Sequence, residues 1–469
     1  MNVVLIIFDS LRKDCVGCYS ENPPWGKVET PFFDKFSEES LIFDRVYPES
    51  LPTLPMRRAI YTGKNVYPFR NANFRLRGDF VGAFGWGPIP EDQDTVSEVL
   101  QEKGYRTCLI SSVYHQFKPS KNFWRGFDQW EFVRGKENDM YKSGPEPSEE
   151  LIKYYSPIEG LEKSKLLKKI LINTQNWKKE EDYPVAQIMI KAAQWLEENK
   201  DAEKFFLVLE SFDPHEPWQV PDFYSKKYFK KEVNFDQILS IYGDISHWPE
   251  DVLKKTQANY SGLTTMCDRW FGYLYEKFKN MGFLENTLII LTSDHGHSIG
   301  DKNFMGKRGY PSSREVYDIP LLIRHPEGKG EGKRSDILVN HTDITATIYE
   351  LCGISLPFEI DGKPFWKKAL NGEEIRDHVT VAWGPSITVV DKKWYMNCLV
   401  DGKGPFLYDL EKDPNFEKNI ADENKEIVNL LFSKGIEDAK GEIPDFVMKA
   451  AKKSEVPPGC SPIAARKTQ

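Results

Sequence analysis

Three largely apolar runs in this chain each end in a carboxylate or a histidine. No other feature constrains the fold as strongly. "VVLIIF" runs into Asp9, "FFLVLESF" into Asp213-Pro214-His215, and "TLIILTS" into Asp294-His295-Gly296-His297. Short runs of this kind suit strands buried on both faces, as in a parallel sheet covered by helices. The C-terminal strand ends of such a sheet share one edge, and ligands bind in the crevice beyond it. Carboxylates and imidazoles far apart in sequence are therefore expected to converge.

Helical patterns alternate with the runs. "DTVSEVLQEKGY" carries a capping-box pair in Thr95 and Glu98 and a stop at Gly104. "VAQIMIKAAQWLEENK", the stretch from Gln257 to Lys279, and "HTDITATIYELCG" read as further helices, while "RTCLISS" and "DIPLLIRHP" read as strands. The alternation predicts an α/β/α sandwich with a mostly parallel central sheet. From about residue 376 the rhythm changes to "VTVAWG", "SITVV", "KWYMNCLV" and "PFLYDL", with a turn signal at Asp401-Gly402. These predict a small antiparallel sheet. We expect a catalytic α/β domain over 1–370, interrupted by a charged insertion at 134–182, and a small α+β subdomain with a tail over 371–469. The last stretch, "KKSEVPPGCSPIAARKTQ", reads as an arm or a tail.

Net charge is −8, with both signs interspersed, which argues against a nucleic-acid surface. No stretch approaches the roughly 20 apolar residues of a membrane span, and "MNVVLIIFDS" lacks the marks of a signal peptide. Seven scattered cysteines do not suggest a disulfide framework, and the lone Cys15-x-x-Cys18 reads as small buried thiols rather than a zinc site. The expectation is a cytoplasmic protein.

Chemistry collects in two places. Aspartate and histidine at the strand tips form a good ligand set for a divalent cation. Asp9 alone could be a turn residue, but Asp294-His295 before a glycine places two metal-competent side chains at a sheet edge. The second place is "TLPMRRAIYTG". It predicts a short helix with Thr53 as N-cap and a proline in the first turn. A hydroxyl at a helix N-terminus sits at the positive end of the dipole, which favours an anion. Arg57, one turn on, can clamp two oxygens of a phosphoryl or sulfuryl group. Trp86, Trp124, Trp130 and Trp218 could line an organic leaving group or simply pack. Of Arg70, Arg75 and Arg77, one could meet a second anionic group.

These segments together resemble the sulfatases of the alkaline phosphatase superfamily over nearly the whole chain. "NVVLIIFDSLRKDCVGCY", "TLPMRRAIYTGK", "NFWRGFDQW", "DPHEPW", "SDHGHSIGDKNFMGKRG", "IDGKPFW" and "LYDLEKDPNFEKNIAD" each resemble a family segment. The resemblance implies that Asp9, Ser10, Asp294 and His295 hold one divalent metal (Ca, Mn, Mg or Zn), with Thr53 as nucleophile coordinated to it. It implies that Arg57, His215 and Lys307 bind the transferring group, and that one of them or His115 protonates the leaving oxygen. Second-metal roles for Asp213, His215 or His341 are the weaker expectation, since His341 can simply open its helix.

Three departures bear on the activity. The family oxidises Cys or Ser at the nucleophile position to formylglycine, but Thr53 cannot yield an aldehyde, so no formylglycine is expected. Val113 stands where a sulfate-binding Lys is usual, and Ser10 where many members have Asp. Threonine must act as a plain alkoxide whose covalent ester is opened by water, a route phosphoryl esters tolerate. The expected function is a metal-dependent hydrolase of sulfate, phosphate or phosphonate esters, with phosphodiesters or phosphonate monoesters favoured. The alternatives are phosphotransfer to an alcohol and an inactive, sulfatase-like binding protein. The expected partner is a small anionic ester, met by the chain alone or as a homo-oligomer.

Overall fold

The computed structural model describes residues 1–20, 22–70, 81, 83–118, 120–355 and 360–454. Arg75, Arg77 and all but the first three residues of the closing stretch lie outside them.

Among the described residues, eight strands form one sheet. In spatial order they are Arg334–Asn340, Leu41–Tyr47, Leu321–Arg324, Thr287–Ser293, Asn2–Asp9, Phe205–Pro214, Arg106–Ser111 and Gln129–Phe132. All adjacent pairs are parallel except those of Leu321–Arg324, which runs antiparallel to both neighbours. The three acid-tipped strands are adjacent at the centre. They are buried along their length, as their largely apolar character favours.

Helices cover both faces. Against one face pack Pro184–Glu198 and the long helix Glu250–Asn280, contributing Met189, Leu196, Leu263 and Phe271 to the core. Against the other pack Thr53–Thr62, Val96–Glu102 and His341–Leu351. The capping box at Thr95 and Glu98 is present, and Gly104 follows in the left-handed region at φ 81°. The long helix starts at Glu250, earlier than its apolar pattern indicates, because Pro249 supplies its N-terminus.

The C-terminal strands Val379–Trp383, Ser386–Val390, Trp394–Leu399 and Phe406–Asp409 form their own antiparallel sheet. A two-residue strand, Ser50–Leu51, adds to its edge in parallel with Val379–Trp383. This pairing ties the sheet directly to the segment leading into Thr53. The charged stretch after residue 134 holds two helices, Glu149–Tyr154 and Lys165–Thr174. Among the described residues no helix is long and apolar enough to cross a membrane, and the six described cysteines are all free.

Candidate active site

Three loops leaving the central strands build the site. The ligand atoms of Asp9, Asp294 and His295 lie within 4.8 Å of one another, and all three residues are buried. Gly296 follows because the chain presses against Glu315 there: a Cβ would sit 1.9 Å from the Glu315 carbonyl oxygen. Ser10 lies in the left-handed region, at φ 63°. Its N–H donates to Asp294 Oδ1 at 2.8 Å and its Oγ to Asp9 Oδ1 at 3.0 Å. The serine thus orients both carboxylates.

Thr53 opens the buried helix Thr53–Thr62, but as its first helical residue and not as the N-cap. Pro52 occupies the cap in an extended conformation and has no side chain that can accept a bond. The Thr53 hydroxyl is therefore not spent on capping, and among the described residues no hydrogen bond engages it. Arg57 Nη1 donates to the Thr53 carbonyl at 3.0 Å and to Asp294 Oδ2 at 2.8 Å. Nη2 lies 3.2 Å from Asp9 Oδ2, and Nε donates to Glu210. One guanidinium thus joins the head of the helix to the carboxylate cluster.

Glu210 is absent from the sequence-based assignment. It accepts from Arg57, from Tyr61 Oη at 2.5 Å and from Gln116 Nε2 at 2.8 Å, and is completely buried. The available signal was a glutamate inside an otherwise apolar run. Three buried carboxyl groups face one guanidinium, and a divalent cation among them would favour their ionised forms. Three atoms lack a hydrogen-bond partner there, Asp9 Oδ2, Arg57 Nη2 and His295 Nε2, and the first two meet only as an ion pair at 3.2 Å. A carboxylate oxygen and an imidazole nitrogen are suitable donors for a hard or borderline cation, so the residues fit a metal.

The electrostatics agree. Burial, and then the charge of Asp294, push Asp9 well above the usual carboxylate range. Burial would also raise Asp294, but His295 and Arg57 hold it below that range. Burial brings His295 down to about 4, so its imidazole is neutral at pH 7, the form that ligates metals. Arg57 stays charged despite burial because Glu210, Asp294 and Asp9 surround it.

His215 and Lys307 meet directly, with Lys307 Nζ 2.7 Å from His215 Nε2. On the other side of the ring, Nδ1 lies 2.6 Å from the Glu216 carbonyl oxygen. Burial and then the Lys307 charge lower the His215 pKa well below its ordinary value. The imidazole is accordingly neutral, with Nδ1–H donating to the carbonyl and Nε2 accepting from the ammonium. His115 sits on the short turn after Arg106–Ser111, its Nε2 3.3 Å from Glu137 Oε2. Val113 packs with Tyr114 and Phe212 in an apolar contact.

The second-metal candidates have other partners. Asp213 pairs with buried Lys136 at 2.7 Å and accepts from the Val185 N–H. Lys136 also donates to the carbonyls of His215 and Pro217, bolting the start of the insertion beneath the histidine loop. Asn340 caps the helix at His341, whose Nε2 faces the Ser293 carbonyl oxygen at 3.0 Å. Of the tryptophans, Trp218 is fully buried against His297, and Trp86 lies with its ring centroid 4.8 Å from His115. Trp124 and Trp130 stack on each other, 5.5 Å apart. Arg70 is tied to the Ala439 and Glu442 carbonyls rather than to the site.

With the geometry in place, comparison with known proteins gives a consistent result. The sulfatase family model matches residues 1–354. An arylsulfatase of Clostridium perfringens is 24% identical over 485 residues, covering 94% of this chain and 94% of its own. A multifunctional alkaline phosphatase superfamily protein, PehA of Trinickia caryophylli, is 23% identical and covers 90% of this chain and 91% of its own. Among solved structures, a phosphonate monoester hydrolase of Agrobacterium radiobacter superposes with a TM-score of 0.72 at 20% identity, covering 96% of this chain and 97% of that one. That likeness is one of fold.

Proposed function

We propose, from the premise that this chain belongs to the sulfatase family of the alkaline phosphatase superfamily, that it is a metal-dependent hydrolase preferring phosphodiesters or phosphonate monoesters over sulfate esters. The observation that carries this reading is the unengaged Thr53 hydroxyl, joined through Arg57 to the buried Asp9–Asp294–His295 cluster. Asp9, Asp294 and His295, with Ser10 and Thr53 as further oxygen donors, would hold a divalent cation. When bound, it supplies Lewis-acid stabilisation of charge on the reacting oxygens.

The remaining steps belong to the chain. Thr53 Oγ attacks phosphorus and loses its proton to solvent. The phosphorus bond to the leaving oxygen breaks, and Lys307 protonates that oxygen so that the alcohol departs neutral. Neutral His215 aims the ammonium through their 2.7 Å contact, and Arg57 holds the Thr53 carbonyl against the carboxylate cluster. Water then attacks phosphorus, the threonyl oxygen–phosphorus bond breaks, and Thr53 takes the proton that the water gives up. Lys307 recovers its proton from solvent. A threonyl ester has no second hydroxyl on its carbon to expel the acid, so release depends on attack at the central atom, which phosphorus tolerates better than sulfur. The resemblance to PehA and to a phosphonate monoester hydrolase supports the preference. A reducing, cytoplasmic setting is consistent with six free cysteines among the described residues.

The test is a panel of p-nitrophenyl phosphodiester, phosphonate, phosphate and sulfate esters with purified metal-loaded protein. The first two should be turned over fastest, and Thr53→Ala should abolish their hydrolysis. A preference for sulfate, or full activity in Thr53→Ala, would overturn the reading.

A further inference from the structure

A cavity of about 550 Å³ lies between the loops beside the catalytic cluster and the C-terminal sheet, within the size range of small-molecule sites. Asp9, Thr53, His215, Lys307 and His295 take no part in its lining. Most of its charged side chains are already satisfied. Arg12 is held by Asp14 and Asp301, Arg314 by Asp318, and Lys13 by the Asp44 carbonyl. Arg308 differs: among the described residues no hydrogen bond or ion pair holds it, and the Phe304 ring lies 4.3 Å from its guanidinium carbon. Its Nε is buried with nothing to donate to, and the buried Ser313 hydroxyl on the same wall also lacks a partner.

Native structures rarely leave buried donors unsatisfied, and an unmatched guanidinium costs more than a neutral group. Burial lowers the Arg308 pKa, and Glu315 and Tyr408 offset this only in part. Glu315 on the lining acts on Arg308 through its charge, but it also faces Arg12 and accepts from Ser298, and burial raises its carboxyl above the usual range, weakening it as a counter-ion. Tyr408 and Phe416, stacked with centroids 4.4 Å apart, supply an apolar part of the wall.

We propose that this cavity is a second binding site, independent of the catalytic one, for a small molecule bearing a phosphate, phosphonate or sulfate group, with Arg308 and Ser313 donating to its oxygens. A guanidinium matches the paired oxygens of such a group, and a serine hydroxyl suits a third. Lys307 and Arg308 are consecutive, so one stretch of loop backbone after the Phe304–Gly306 strand carries a cation for each site.

Isothermal titration of the full chain with inorganic phosphate and with phenylphosphonate tests the proposal. Wild type should bind one more equivalent than Arg308→Gln, whatever the catalytic site contributes. Ser313→Ala should raise the dissociation constant of that equivalent about tenfold, the loss of one charge-assisted hydrogen bond, and Arg308→Lys should retain weakened binding. Tighter binding of phenylphosphonate than of phosphate identifies an aryl-bearing ligand; equal binding identifies the free anion. Identical stoichiometry and affinity in wild type, Arg308→Gln and Ser313→Ala would overturn it. Should Arg308→Gln fail to fold, the Arg308→Lys and Ser313→Ala pair decides alone.

Discussion

Glu210→Ala tests whether Arg57 is held where the chemistry needs it. The substitution strips three buried donors of an acceptor: Arg57 Nε, Tyr61 Oη and Gln116 Nε2. Removing one member of a buried ion pair costs about 3 to 5 kcal/mol. Asp9 and Asp294 still face the guanidinium, so the lower half of that range is expected. Glu210→Gln keeps a carbonyl acceptor and the shape, and should cost about 1 to 3 kcal/mol. The freed Arg57 leans further onto Asp9 and Asp294 and competes with a cation, and one negative charge is gone. Both effects weaken metal binding. A displacement of about 1 Å in a group touching the transition state can cost about 100-fold in rate, so turnover should fall at least that far in the alanine variant. Guanidinium denaturation, metal content after dialysis and steady-state kinetics measure the three effects. Stability within about 0.5 kcal/mol of wild type, together with unchanged metal content and turnover, would refute the reasoning.

Thr53→Ala should retain fold and metal while losing turnover, and Thr53→Ser should keep substantial phosphoesterase activity; since Thr53 does not cap its helix, the stability loss should stay below the about 0.5 to 2 kcal/mol of a lost cap. Intact-mass analysis should show an unmodified threonine. Asp9→Asn and His295→Ala should each lose the bound divalent cation by elemental analysis, and retention of one equivalent in both would discard the ligand assignment. Burial brings His341 down to about 3, so the unfolded chain binds a proton that the native state refuses. That contribution is present in full above pH 6.5 and is lost as pH falls from 6.5 toward 3, at up to about 1.4 kcal/mol per pH unit. His341→Gln should flatten the acid limb of the stability profile, and an identical slope would count against a buried neutral imidazole.

The amino-acid order alone determined which segments are strands and where their reactive ends lie. Continuous apolar runs such as Val3 to Phe8 can be satisfied only between two layers, and parallel pairing then places Asp9, His215 and Asp294 on one edge. The motif spacing pointed to the family and to Thr53 as the proposed nucleophile, and the capping pair at Thr95 and Glu98 needed only local geometry. Other features depended on contacts between distant segments. Leu321–Arg324 reads as any buried strand, and its antiparallel direction follows from how the chain returns between Thr287–Ser293 and Leu41–Tyr47. Asp213 pairs with Lys136, 77 residues earlier, a contact the local sequence does not announce. Glu210 looked like one more strand residue until packing brought Arg57, Tyr61 and Gln116 around it. The pattern of apolar and charged residues fixes what must be buried, because hydrophobic burial is local to each side chain. Which charges meet is decided by tertiary packing, because a buried charge has to find its partner wherever the fold brings one within reach.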